Sequence, residues 1–91
     1  MVIKKTLILE HKSGLHARPS AELCKILGKF SSKVYLTCNG TRVDAKSILN
    51  LLCACVQSGS IVEFEVNGDD AEETMLAVEQ FFHTLNTEHH W

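Results

Sequence analysis

Three stretches of this chain alternate apolar and polar side chains, and each offers only one apolar face. Ile3, Leu7 and Leu9 form the first set, Val34, Leu36 and Cys38 the second, and Val62, Phe64 and Val66 the third. Successive side chains of a strand point to opposite faces, so segments of this kind build a sheet buried on one side and wet on the other. The chain must therefore also supply a cover for one face. The strands are expected over Val2 to Leu9, Ser32 to Cys38 and Ser60 to Asn67. Asn39-Gly40 follows the second directly, and both residues tolerate the positive φ of a two-residue hairpin turn, so Thr41 to Val43 is expected to pair back as a short strand.

The cover is legible as period 3.6. From about Ala17 to Leu27, the residues Ser20, Leu23, Cys24 and Leu27 line one side of a helix, with Gly28 to end it and Phe30 to return the chain to the core. Ala71, Thr74, Met75, Val78, Phe81, Phe82 and Leu85 make a longer stripe, opened by Asp70 as a cap with Glu73 completing a D-x-x-E pattern. Between them, Ser47 to about Cys53 reads as a short and unusually apolar helix with Ser47 as its N-cap. Ile48, Leu49, Leu51, Leu52 and Val56 cannot all face inward from so short an element, so part of that surface is expected to be exposed for docking. The order β-α-β-β-α-β-α gives an α+β, two-layer open-faced sandwich. The 91 residues suffice for one domain over 1–91, with 86–91 expected as a flexible tail.

Several classes fall away. A net charge of −2 argues against general nucleic-acid or membrane-surface binding. No stretch has the length of a membrane-spanning helix, and Met1 to Lys5 leads into strand-like residues rather than a signal sequence, so a cytoplasmic location is expected. Cys24, Cys38, Cys53 and Cys55 contain no C-x-x-C pair, and Cys53 and Cys55 would point to different sides of a helix; reduced, structural thiols are expected. His89 and His90 in the tail make a poor designed metal site, and neither a metal nor a cofactor is expected.

The stretch Ser13 to Leu23 carries chemistry. Gly14 supplies a tight turn, and Pro19 fits the first turn of a helix, where its missing N–H has no intrahelical partner anyway. His16 is thus placed beside a helix N-terminus, whose N–H groups and partial positive charge attract an anion. Arg18 adds a permanent charge with a fork of donors suited to phosphate oxygens. A neutral imidazole is nucleophilic, and the same positive surroundings that favour it would steady a phosphoryl group once attached.

The order Gly14-Leu15-His16-Ala17-Arg18-Pro19 resembles the phosphohistidine motif of the HPr family, the phosphocarriers of the bacterial phosphoenolpyruvate-dependent sugar phosphotransferase system. The resemblance runs from roughly Ile3 to Leu85 and includes a second motif, Ala45-Lys46-Ser47-Ile48-Leu49. It implies an antiparallel four-stranded sheet in the order 1-4-2-3 with three helices on one face. It further implies that His16 takes the phosphoryl group on Nδ1, with Ala17 and Arg18 holding the phosphate near the helix end. Phosphorylated enzyme I would be the donor and the IIA proteins or domains of sugar transport systems the acceptors. The implied docking face comprises Ser20, Ala21, Cys24, Lys25, Ile48, Leu49, Leu52 and Cys53. One departure is visible: Gly28 stands where the family often has a second lysine, and Lys29 follows it.

Ser47 matches the family's regulatory serine, phosphorylated in many bacteria by HPr kinase/phosphorylase to signal through a catabolite-control regulator. The chain has no G-x-x-x-x-G-K-[ST] loop for ATP, in keeping with a carrier rather than an enzyme with its own turnover. A monomer suits a carrier that presents one face to several partners, with no direct nucleic-acid contact and no membrane insertion. Two further readings stand beside this one. A regulatory HPr-like protein would act in catabolite or nitrogen control rather than sugar uptake; the presence of His16 argues against its Crh type, which lacks the active histidine, but not against a nitrogen-related paralogue. A small α+β domain that binds an anion without covalent chemistry would share the fold alone.

Overall fold

One-sided alternation is realised strand by strand. The computed structural model describes residues 1–54 and 56–88, and its elements are β1 (Val2–Ile8), α1 (Ala17–Leu27), β2 (Lys33–Cys38), β3 (Thr41–Asp44), α2 (Ile48–Cys53), β4 (Ile61–Asn67) and α3 (Ala71–Asn86). The strands form a single antiparallel sheet in the order β1-β4-β2-β3. Its registers bring Lys5, Phe64, Leu36 and Val43 into one row across the sheet, and Ile3, Val66 and Val34 into the next. Val34, Leu36, Val62, Phe64 and Val66 are essentially inaccessible to solvent. The β2–β3 turn places Asn39 at φ 52° and Gly40 at φ 80°, as a primed hairpin turn requires.

The three helices lie on this apolar face, α3 over β1 and β4 and α2 beside β3, with α1 packed against both other helices. All seven residues of the α3 stripe are buried. Phe82 meets Phe64 edge-on at 5.4 Å, a geometry that adds about 0.5–1.5 kcal/mol to the burial itself. The opposite face carries polar pairs: Glu65 accepts from Arg42 at 3.2 Å and lies 3.7 Å from Lys4, and the Arg42 guanidinium stacks 4.2 Å above the Tyr35 ring. Lys5 is the one charged residue of β1 on the covered side, and it reaches the rim of α3 to bond Glu79 at 3.0 Å.

Two local expectations, at Asp70 and Phe30, are revised, and two further positions gain detail. Asp70 does occupy the N-cap position of α3, but its side chain does not cap that helix. Its carboxylate turns to the α1–β2 loop and accepts from Ser31 N–H at 2.8 Å, Ser32 N–H at 2.9 Å and the Ser32 hydroxyl. These donors, the Ser32 hydroxyl foremost and the Ser31 amide next, hold its carboxyl well below the usual carboxylate range. Gly28 ends α1 as expected, at φ −61° in the right-handed region. The last turn tightens through Lys29 N–H to Ile26 O and Phe30 N–H to Leu27 O, at 3.2 and 3.1 Å. Phe30 stops half-buried, and its carbonyl accepts from Lys46 Nζ at 2.7 Å. Asn86, the first residue of the expected tail, is the last residue of α3, and its amide accepts from Glu10 N–H at 2.7 Å and donates to Ile8 O at 3.0 Å. The expectations for Cys55, His89 and His90 lie outside the described residues.

Candidate functional site

The loop from β1 to α1 is fixed from below before it delivers His16. Leu9 exchanges backbone bonds with Ser60 and Gly59, at 2.9 and 2.6 Å. Gly14 N–H closes a turn onto His11 O at 3.0 Å, and Leu15 N–H donates to Val56 O at 2.8 Å. Gly14 has φ +70°, and a Cβ there would stand 2.6 Å from Val56 O. Only glycine satisfies both the conformation and the close approach. Leu15 is buried, and Ser20, fully buried one turn into α1, donates its hydroxyl to Leu15 O at 3.2 Å.

His16 then emerges exposed as the N-cap residue of α1. Its carbonyl accepts Ser20 N–H at 3.0 Å, the first bond of the helix. The imidazole makes no cap bond, and the first turn holds no acidic residue. The positive end of α1 is thus open toward the imidazole's side of the chain, with Ala17 and Arg18 as its first two residues and Pro19 buried behind them.

Arg18 is half-exposed and engaged by two carboxylates. Its Nη1 donates to Glu22 Oε1 at 2.8 Å and its Nη2 to Glu88 Oε2 at 3.2 Å. The bond to Glu22, with Glu88 behind it, raises its pKa further above an already high value, so it is a permanent cation. Glu88 Oε2 also lies 3.1 Å from Nε2 of His11, a buried imidazole whose ring centre is 6.2 Å from that of His16. The other His11 nitrogen, Nδ1, accepts Ser13 N–H at 3.2 Å. With Nδ1 an acceptor, the His11 proton sits on Nε2 and points at Glu88.

Neither His11 nor Glu88 was singled out by sequence. His11 falls in a polar turn, where nothing in the spacing marks one imidazole as buried, and Glu88 falls in the stretch expected to be a tail. The only signal was a histidine five residues before another.

The expected docking residues divide into three groups. Ala21 and Lys25 on α1 are exposed, as are Ile48, Leu49, Leu52 and Cys53 on α2, with Leu49 74% accessible. Leu51, between them, is wholly buried and anchors α2 to the core. Cys24 is half-buried, and its thiol donates to Ala45 O at 3.5 Å. Burial, and then the Asp44 charge, push that thiol above its ordinary range, away from thiolate reactivity. Ser20 cannot line the surface: it is fully buried and braces Leu15. Ser47 is half-buried at the head of α2 and caps it, accepting Asn50 N–H at 3.2 Å and the Asn50 side-chain amide at 3.0 Å. Among the described residues no cluster of three His, Cys, Asp or Glu side chains is placed to hold a metal ion, and no helix is long and apolar enough to cross a membrane.

A small open-faced sandwich that presents a histidine on an uncapped helix N-terminus, with an arginine in the same turn, belongs to a class built to display one imidazole to solvent. A family model described as the PTS HPr component phosphorylation site matches residues 3–84. The phosphocarrier protein HPr of Cupriavidus necator is 42% identical over 78 residues, 86% of each chain. An HPr crystal structure from Thermoanaerobacter tengcongensis superimposes with a TM-score of 0.90 at 32% identity, covering 97% of this chain and 99% of that one. The HPr-like protein Crh of Halalkalibacterium halodurans is 32% identical over 80 residues, 88% of this chain and 95% of its own. The chain belongs to the HPr family of phosphocarriers of the phosphotransferase system.

Proposed function

We propose that this protein accepts a phosphoryl group on Nδ1 of His16 from phosphorylated enzyme I, itself charged from phosphoenolpyruvate, and passes it to IIA components of sugar transport systems. The observation that carries the reading is the exposed His16 imidazole on the open positive end of α1, with Arg18 in the same turn. Nδ1 attacks phosphorus, the bond from phosphorus to the donor atom breaks, and its electron pair stays with the donor. The proton that the His16 ring releases balances the one the donor group takes up. The phosphoryl oxygens then lie against the Ala17 and Arg18 amides, and the Arg18 guanidinium exchanges carboxylate oxygens for phosphate oxygens. No step requires an ATP site, a metal or a cofactor held by this chain, so the protein is a phosphorylated intermediate and not an enzyme in its own right.

The exposed patch of Ile48, Leu49, Leu52 and Cys53, with Ala21 and Lys25 from the neighbouring helix, is the proposed docking face for enzyme I and IIA. Ser47 at its rim is the proposed regulatory site for HPr kinase/phosphorylase: a phosphate there would be tolerated by the helix end but would set charge beside Ile48 and Leu49. The protein is proposed to work as a cytoplasmic monomer. A catabolite- or nitrogen-control role is the second reading, supported by the likeness to Crh; the presence of His16 favours the carrier.

The test mixes the protein with enzyme I, Mg²⁺ and phosphoenolpyruvate and follows intact mass at neutral and acidic pH. A single acid-labile phosphate, absent from His16→Ala, is expected. No phosphorylation by a competent cognate enzyme I would overturn the carrier reading.

A further inference from the structure

A second histidine stands behind the first. His11 is 4% exposed, and both its ring nitrogens are committed, Nδ1 to Ser13 N–H inside its own turn and Nε2 to Glu88 beyond the end of α3. The oxygen that His11 holds, Glu88 Oε2, is the same one that receives Arg18 Nη2. A buried donor and an exposed cation therefore converge on one carboxylate oxygen at the edge of the site. Asn86, two residues earlier, stitches the same segment to Ile8 and Glu10, so the end of α3 is registered against the loop that carries His11.

We propose that His11 is a positioning residue for phosphoryl transfer at His16: by fixing Glu88 against Arg18, it makes Glu88 a built-in competitor for the guanidinium that the phosphoryl group needs. This rests on the carrier reading given above. An Arg18 fork has a limited set of donors, and Glu22 and Glu88 occupy one terminal nitrogen each. Glu22 is an exposed helix neighbour that rotates away at little cost. Glu88 is different, because a partly buried bond to His11 holds it in place when the guanidinium turns toward phosphate, so it stays poised to take Arg18 back. The pairing keeps the phosphorylated form from becoming too stable to donate, which is the balance a carrier requires.

The two roles of His11 separate by substitution. His11→Asn keeps an acceptor near Ser13 N–H but falls short of Glu88, whereas His11→Gln offers a donor at about the reach of Nε2. The ratio of phosphorylated to unphosphorylated protein is measured at equilibrium with enzyme I and a fixed phosphoenolpyruvate-to-pyruvate ratio, with thermal melts alongside. His11→Asn and Glu88→Gln should each raise that ratio by about threefold, the scale of a partly exposed charge-assisted contact. The double variant should exceed neither single one, and His11→Gln should stay near wild type. Equal ratios for wild type, His11→Asn and Glu88→Gln would overturn the inference, as would additive effects in the double variant. Nitrogen-15 shifts of the unphosphorylated protein supply a readout independent of transfer: His11 should be the Nε2–H tautomer in wild type, and an Nδ1–H tautomer would overturn the inference. If wild type itself accepts no phosphoryl group, the carrier reading fails first, and that result is distinct from a wild type that is phosphorylated but indifferent to His11.

Discussion

Leu15 gives its amide proton to Val56 O, and the same carbonyl occupies the space a side chain on Gly14 would need. The segment before β4 thus serves as a template for the residue immediately preceding His16. Gly14→Ala must both adopt a left-handed φ and push Val56 away. It is expected to destabilise the fold by about 1–3 kcal/mol and to slow phosphorylation of the molecules that remain folded. Urea denaturation with transfer kinetics on the folded fraction checks both; an unchanged midpoint would show that the loop relaxes freely.

Asp70 gives the stability a definite acid dependence. Its carboxyl titrates lower in the folded chain than in the unfolded one, where a value near about 3.9 applies. The folded chain is therefore favoured fully above that unfolded value, and the contribution drains away as pH falls toward the folded one. Asp70→Asn should melt below wild type at neutral pH, and the gap between the two should narrow on acidification. A gap that is constant from neutral to strongly acidic pH would contradict the arrangement with Ser31 and Ser32.

Two substitutions at Ser47 should part stability from recognition. Ser47→Ala removes the side-chain N-cap of α2 and should cost about 1 kcal/mol. Ser47→Asp keeps a good capping group but places charge beside Ile48 and Leu49, so its melting temperature should stay near wild type. Its affinity for enzyme I should fall by about tenfold, or ~1.4 kcal/mol. Titration calorimetry against enzyme I distinguishes the two variants; equal affinities for wild type and Ser47→Asp would remove the patch from the docking face.

Leu49 and Leu51 make the complementary pair. Leu49→Ala should leave stability within about 0.5 kcal/mol while weakening enzyme I binding by about tenfold. Leu51→Ala should lose about 2–5 kcal/mol of stability, since its side chain is wholly buried. Reversal of that pattern would mean that α2 is turned about its axis relative to the structure described.

The sheet and α3 were legible because each has a strong, unbroken period. Val62, Phe64 and Val66, or Val78, Phe81, Phe82 and Leu85, fit one geometry and no other, and all are buried. The strand order was not legible from periodicity, since pairing β1 with β4 leaves every period unchanged; it came from the resemblance to HPr. Asp70 shows where local pattern misleads: D-x-x-E is a capping signature, yet two serine amides and a hydroxyl from a distant loop outbid the helix for the carboxylate. At the site, His16, Arg18 and Gly14 could be read because they are neighbours in the chain. His11 and Glu88 could not, because their meeting depends on where α3 ends.

The pairing of β1 with β4 also has a consequence for biosynthesis. Among the described residues β1, the first of the four strands in sequence, is an edge strand paired with β4, the last of the four, and Val2 lies opposite Asn67. Contacts of such long range form late, after the intervening chain has been closed into a loop. The His16 loop shares this delay, because its supports are Val56, Ser60 and the final turn of α3. A growing chain, extended at roughly 5–20 residues per second, would carry His16 without its shaped surroundings until those supports had emerged. The transfer surface comes into being only once α3 has been made, so chains cut off before α3 are expected to stay silent toward enzyme I rather than draw phosphate from it.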